Sequence, residues 1–480
     1  MKIKNYILGG LILITASACG NDWLDLEPST AVETQKSIKQ LSDIEFVLNG
    51  IYSSMQSSDA YSGCLIYYGD VTGDDMQAVS STKRTGNYYR FNFTKDTGPT
   101  VHWSSLYAII QNCNIILMNI DKLTIESSKE NYRNDLKGQA LAIRGMALFD
   151  LTRIFGYPYL KDNGASMGVP IVTGLSTTED KPSRNTVAEC YKAIIDDLTN
   201  STELLSGNFT KGKFNKWAAM TLLSRVYLYK GDNIDALNTA EAAITGAEKS
   251  GFALWTNAEY PTAWGANSSA THPGEVLLEI VNLTTDSPGK ESMGYLNSYN
   301  GYDDMCITCS FYQLLKKDPK DVRLKLLSFD GKKYAYVNKY QPQEGENIAD
   351  ANIPLIRLSE AYLNAAEAAV KLGKNDIGVK YLDAIVRRAN PENTVQGKIL
   401  TLDNVLNERR KELVAEGHRM YDVIRNGQTI HRINVKDSQL SKTKHNTSYM
   451  DFDWTFYKIV LPIPKKEMDA NSNIIQNPDY

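Results

Sequence analysis

The chain is predicted to be mostly α-helical, with about four tetratricopeptide-like helix pairs on one side and a long-looped, irregular half on the other. Three observations lead there. Apolar residues recur at helical spacing in several stretches, small residues line the facing sides of successive helices, and the stretches between them are long and rich in Gly, Ser, Asn, Asp and Tyr. The composition is that of a globular chain with room for a large core: 480 residues, 42% hydrophobic, 22% charged. With 52 basic and 56 acidic residues, the chain offers no basis for a nucleic-acid partner.

Taken in order, the first element is a targeting segment. Lys2 and Lys4 precede an apolar run over 6–14, and Ala16, Ser17 and Ala18 lead to Cys19. Residues 1–18 read as a secretory signal, because the run falls well short of the roughly twenty residues that a membrane-spanning helix needs. A cysteine directly after three small residues resembles a bacterial lipobox, with Ala16 where leucine is commoner. That resemblance implies lipid on Cys19, and several acyl chains anchor stably where one does not. Residues 19–40 read as a tether, acidic at first and broken by Pro28. Acidic residues just after the cysteine resemble the export signal of surface lipoproteins, which implies an outer-membrane, lipid-anchored protein facing the cell exterior. Removing residues 1–18 takes away two lysines and no acid, so the net charge goes from −4 to −6.

The clearest helix pair spans 217–249. Leu222, Val226 and Tyr227 share one face, Gly231 and Asp232 break the helix, and Ala236, Ala240, Ala243 and Ile244 line the next one. A second copy spans 356–390, with Tyr362, Ala366, Gly373 and Leu382 in matching roles. Two weaker pairs are 138–154 with 186–205, and 402–416 with 418–426. Such pairs bury their apolar faces only by stacking. Segments 60–100, 156–185, 255–310 and 330–352 are expected to be loops, and loops this long are usually functional. A short strand is expected over 275–281. Trp103, Trp217 and Tyr227 fall within helical patterns and are assigned to structure.

Besides Cys19 there are five cysteines. Cys306 and Cys309 form a C-I-T-C dyad with no second dyad, so a structural zinc site lacks ligands. A surface loop with a local disulfide or free thiols is expected there.

Several stretches resemble one family, the SusD/RagB outer-membrane nutrient-binding lipoproteins. They are C-G-N-D-W-L-D-L-E-P-S from Cys19, H-W-S-S-L-Y-A-I-I-Q-N-C-N-I-I-L over 102–117, and A-L-A-I-R-G-M-A-L-F-D-L-T-R-I-F-G over 140–156. L-N-E-R-R-K-E-L-V-A-E-G-H-R-M-Y-D-V-I-R over 406–425 is similar too, as is the ending L-P-I-P-K-K-E-M-D-A-N-S-N-I-I-Q-N-P-D-Y, with Asp479 where the family usually has glycine. The resemblance implies a SusD-like fold with an N-terminal half over 41–254 and a C-terminal SusD/RagB half over 255–480 that carries ligand-site loops. It implies a glycan ligand and a SusC-like TonB-dependent transporter as partner. The RagB branch, which handles peptides, and a purely structural tetratricopeptide-type adaptor are the alternatives.

No catalytic machinery is expected, and no cofactor or metal. Glycosidases need two carboxylates flanking a cleft, and the candidates are adjacent pairs in Gly-rich loops: Asp74 with Asp75, and Asp303 with Asp304. Asp70, Asp74 and Asp75 lack the EF-hand spacing. Glu408, Glu412 and Glu416, with Arg409 and Arg410 between them, read as a solvated or salt-bridged helix face.

A sugar site without chemistry needs aromatic faces for C–H surfaces and polar groups for hydroxyls, and Tyr and Trp supply the former at low entropic cost. Aromatic density outside the helix pairs selects Tyr67, Tyr68, Tyr88, Tyr89, Trp264, Tyr295, Tyr299 and Tyr302, with Asp74, Arg90, Asn297 and Asp303 as polar partners. The 60–95 and 255–305 loops are expected to form one platform.

Overall fold

A computed structural model describes residues 38–97, 100–177, 179–265, 274–331, 334–342 and 347–480. The signal segment, Cys19 and nearly all of the tether lie outside the described residues.

The N-terminal half is a run of helices. Helix α1 (Leu41–Met55) opens with a reciprocal capping box between Gln40 and Asp43, and buries Leu41, Ile44, Leu48, Ile51 and Met55 along one stripe. Two short helices, α2 (Cys64–Val71) and α3 (Gly86–Tyr89), flank strand β1 (Met76–Ala78). Long helices follow: α4 (Thr100–Asn119), α5 (Glu130–Phe155), α6 (Val187–Leu204), α7 (Lys216–Lys230) and α8 (Asn233–Lys249). Thr186 caps α6, Asn215 caps α7 and Asp232 caps α8, each accepting from amides that would otherwise lack partners.

The C-terminal half alternates short elements with two further helix pairs. Strand β2 (Val276–Ile280) matches the strand expected over 275–281 and pairs antiparallel with β6 (Ile353–Arg357). Between them lie α9 (Met293–Leu296), β3 (Met305–Ile307), α10 (Cys309–Leu315), β4 (Leu327–Phe329) and β5 (Ala335–Val337). Strand β3 pairs with β1, and β4 with β5. Then come α11 (Leu358–Lys371), α12 (Asn375–Ala389), α13 (Leu402–Glu412), α14 (Arg419–Arg425), the pair β7 (Ile430–His431) and β8 (Asp451–Phe452), and α15 (Lys465–Ala470).

Packing follows chain order. Each of α4 to α7 lies against its successor, α8 then packs on α11, and α11 on both α12 and α13. The two best repeats end their first helices alike, with Gly231 at φ +86° and Gly373 at φ +70°, a left-handed turn that costs other residues strain. Within the first of them, a Cβ on Gly246 would lie 2.1 Å from the Trp217 ring. Glycine there lets α7 and α8 close on an indole. Asp479 adopts φ +68°, so the residue that departs from the family's glycine sits in the conformation that glycine favours.

Three expectations are corrected. The 60–100 segment is partly helical, because α2 and α3 turn its tyrosines toward the core. The last helix pair is stunted: α14 has seven residues, after a turn that places Ala415 at φ +65° and Gly417 at φ +79°. Cys306 lies in β3 and Cys309 opens α10, both buried, and all five cysteines among the described residues are free thiols. A surface-loop disulfide at the C-I-T-C dyad is therefore overturned.

Candidate functional site

The β1–β3 ladder brings the two long-loop regions together. Met76 faces Ile307 and Ala78 faces Met305. The pairing continues past the strands, as the Val79 amide donates to the Asp304 carbonyl at 3.0 Å. Beyond it, the Thr85 amide and hydroxyl donate to the Asp304 carboxylate at 3.0 and 2.8 Å. The Lys83 ammonium donates to the Tyr302 carbonyl. These bonds fix the loop around 80–85 against the turn at 298–304.

On that frame sits a small aromatic surface. Tyr295 and Tyr302, both half-buried, meet edge to face with centroids 4.9 Å apart. The Arg84 guanidinium lies 4.3 Å above the Tyr302 ring and donates to Glu291 at 2.5 Å, so its charge is fixed in direction. Tyr299 is 44% exposed and lies 6.0 Å from the ring of Tyr336 on β5. The buried Tyr336 hydroxyl donates to the Asp303 carboxylate, and Asp303 is held at φ +52°. Burial, then the adjacent Asp303 charge, push the Tyr336 phenol up. Asp303 thus ties the turn that carries Tyr299 and Tyr302 to the β4–β5 hairpin.

The other sequence-predicted residues take different places. Arg90 is exposed at the end of α3. Tyr67 and Tyr88 are half-buried with ring centroids 5.7 Å apart, and Tyr88 packs on the fully buried Tyr68 at 5.5 Å. Tyr89 is buried, its hydroxyl 2.7 Å from His445 Nδ1 and its ring under Arg432. Trp264 packs with Trp255 and Tyr260 in a separate cluster. Asn297 is buried and donates to the Val337 carbonyl at 2.7 Å. Asp74 and Asp75 face Arg419 and Arg410, with closest approaches of 2.6 and 2.5 Å. Burial opposes the Asp74 charge, but Arg419 and Arg410 outweigh it and hold the carboxyl below the usual range. Tyr295, Tyr299 and Tyr302 thus share one partly exposed surface, Tyr67 and Tyr88 form a half-buried pair, and Tyr68, Tyr89 and Trp264 are core. Sequence reasoning missed Arg84 and Tyr336. Arg84 stands five residues before Tyr89 in a stretch already singled out, whereas nothing local marks Tyr336.

Below this surface lies an ionic core. The α13 face read as solvated or salt-bridged is salt-bridged and not solvated: Glu408 and Glu412 are buried, and Glu412 faces Arg388, Arg357 and Arg323 at 2.6, 3.0 and 3.3 Å. Burial works against the Glu412 charge, yet the three guanidinium groups hold its carboxyl below the usual range. Lys339, two residues after β5, is fully buried and donates to the carbonyls of Glu412 and Val414 at 2.7 and 2.9 Å. This latch joins the hairpin behind Tyr299 to the ionic core.

Catalytic geometry is poorly served by what the site contains. Cys64 lies 3.3 Å from His102 Nδ1, but burial pushes the thiol well up and the imidazole down to about 3. The pair is neutral, the reverse of an activated thiolate. Among the described residues no group of three or more His, Cys, Asp or Glu could hold a metal ion, and no helix is long and apolar enough to cross a membrane.

Comparisons with known proteins give a consistent result. Residues 309–480 match a family model described as the SusD family, and residues 22–228 match one described as starch-binding, associating with the outer membrane. A crystal structure from Bacteroides vulgatus, provisionally named a sugar binding protein, is 80% identical. It covers 92% of this chain and 99% of its own, with a TM-score of 0.92. A SusD superfamily protein from Bacteroides vulgatus is 38% identical and one from Bacteroides thetaiotaomicron 35%. Each match covers 92% of this chain and 100% of the other, at a TM-score of 0.84.

Proposed function

We propose a function from one premise: the chain belongs to the SusD superfamily. It binds oligosaccharide or polysaccharide at the outer face of the outer membrane, held there by lipid on Cys19, and hands the ligand to a SusC-like TonB-dependent transporter without altering it. The observation that carries the binding step is the exposed Tyr299 beside the Tyr295–Tyr302 pair, with the Arg84 guanidinium fixed over the ring of Tyr302. Flat rings accept the C–H faces of sugars, and a guanidinium with a fixed direction donates to their hydroxyls. The names of similar proteins support the reading, since one is called sugar binding and the matching N-terminal family model starch-binding. The resemblance supplies the transporter and the lipid anchor.

The test is a glycan-array screen of the chain with a peptide set alongside, followed by titration of the best glycan against Tyr299→Ala/Tyr302→Ala. A stacked ring contributes about 1 kcal/mol beyond its buried area, so the double variant should bind at least about tenfold more weakly. Unchanged affinity in a folded variant would remove these tyrosines from the site. Peptide binding with silence on glycans would move the chain to the RagB-like reading, and silence on both to an adaptor.

A further inference from the structure

The far end of the β1–β3 ladder opens into a cleft of about 610 Å³ that the aromatic surface does not use. At this end the Thr308 amide donates to the Asp75 carbonyl at 2.8 Å, and at the other the Val79 amide meets Asp304. Four residues of strand separate Asp304 from Thr308, about 13 Å.

Asp74, Arg410 and Arg419 line the cleft, with Asp75 paired to both guanidinium groups behind it. Each guanidinium is aimed by a carboxylate and still has 12–17% of its side chain exposed. The walls carry the hydrogen-bonding groups of Ser310, Gln313, Asn407, Gln428 and Thr429, together with His431, whose Nδ1 lies 2.7 Å from the Asp451 carboxylate. The Gln313 and Gln428 amides are oriented by Asp437 at 2.5 Å and Asp403 at 2.9 Å. Ile433 and Val435, 57% and 38% exposed, add an apolar edge.

A second cleft shares Val435 with the first and is formed by residues 434–444. Lys436, Lys442 and Lys444 in that segment, and Lys317 on the rim of the first cleft, are exposed and make no ion pair among the described residues. The single acid of the segment, Asp437, is already engaged by Lys316 at 3.5 Å and by Gln313. Three of these ammonium groups line the adjoining clefts, Lys317 in the first and Lys436 and Lys444 in the second, in a chain whose net charge is −4. Like charges lining a concavity repel one another, and an anion there relieves the repulsion and gains a focused field. Amide and hydroxyl walls suit a ring of hydroxyls better than an extended peptide or a bare phosphate.

We propose that these adjoining clefts form a second saccharide site, separate from the aromatic surface, for a sugar residue that bears a carboxylate or a sulfate ester. The lysines supply attraction, the side-chain amides read hydroxyls, and the Ile433–Val435 edge takes a C–H face. The site does not depend on the tyrosine platform. A long acidic polysaccharide that reached both would be held at two points.

The test titrates the full chain, solubilised in detergent, with oligogalacturonate, with heparin-derived oligosaccharide, with neutral maltooligosaccharide and with glycerol 1-phosphate, which carries the phosphate of a lipid headgroup without its acyl chains. One or both anionic saccharides should bind, more weakly as salt rises, and the preferred one identifies carboxylate or sulfate as the recognised group. Lys317→Gln/Lys436→Gln/Lys444→Gln changes exposed side chains only, so the fold should persist. It should lose about tenfold in anionic-saccharide affinity, the corresponding arginine triple should restore it, and Tyr299→Ala/Tyr302→Ala should leave it unchanged. The proposal fails if neither anionic saccharide binds, if the glutamine triple binds them as the parent does, or if glycerol 1-phosphate or the neutral maltooligosaccharide displaces both from the clefts.

Discussion

Replacing Glu412 by Gln tests whether the ionic core holds the C-terminal half together. Glu412 is fully buried, forms an ion pair with Arg388 at 2.6 Å, and accepts from Arg357, from Arg323 and from the Tyr260 hydroxyl at 3.2 Å. Removing one partner of a buried ion pair costs about 3–5 kcal/mol, since the other charge is left in a poor solvent. Here Glu275, Glu408, Glu416 and Asp321 still face the same cations, and the amide oxygen can keep one bond. The low end, about 3 kcal/mol, is therefore expected. Urea unfolding followed by circular dichroism measures it. Acid adds a second readout. The carboxyl lies below its ordinary 4.5 in the fold, so its stabilisation is complete above that value and declines as pH falls below it. The gap between parent and Glu412→Gln should accordingly narrow in acid. A loss below about 1 kcal/mol near neutrality, or a gap that does not change with pH, would refute the reasoning.

The remaining predictions concern packing and chemistry. Gly246→Ala puts a methyl into the Trp217 ring and should cost about 1–3 kcal/mol, with a shift in tryptophan emission; a neutral effect would mean that α7 and α8 are not in close contact there. A thiol-reactive dye should label none of Cys64, Cys113, Cys190, Cys306 and Cys309 in the folded chain, and all of them in urea, because each is buried. Burial raises the Cys306 thiol further from reactivity. Rapid labelling of the native dyad would contradict the placement of Cys306 in β3.

Much of the scaffold was legible because its signals are local. Helix caps at Thr186, Asn215 and Asp232, the glycine ends at 231 and 373, and the apolar spacing of α7, α8, α11 and α12 each act within a few residues. The 275–281 strand could be read from its apolar run, and the family resemblance from stretches spread along most of the chain. What the pattern of residues alone could not decide was orientation. Tyr68 and Tyr299 both fall in segments expected to be loops, yet one is fully buried and the other 44% exposed. The difference comes from α2, which turns Tyr68 into the core, and from the Asp303–Tyr336 bond, made between residues 33 apart. Glu408 and Glu412 read as a solvated or salt-bridged helix face, and the helical repeat by itself does not say which. Their partners Arg323, Arg357 and Arg388 come from elsewhere in the chain, and only packing brings these four segments to one point. The chain's net charge of −4 likewise hides the lysines of the 434–444 cleft, since a sum over residues carries no position. Local propensity determined the elements; contacts between residues far apart in the chain decided which side chains face solvent.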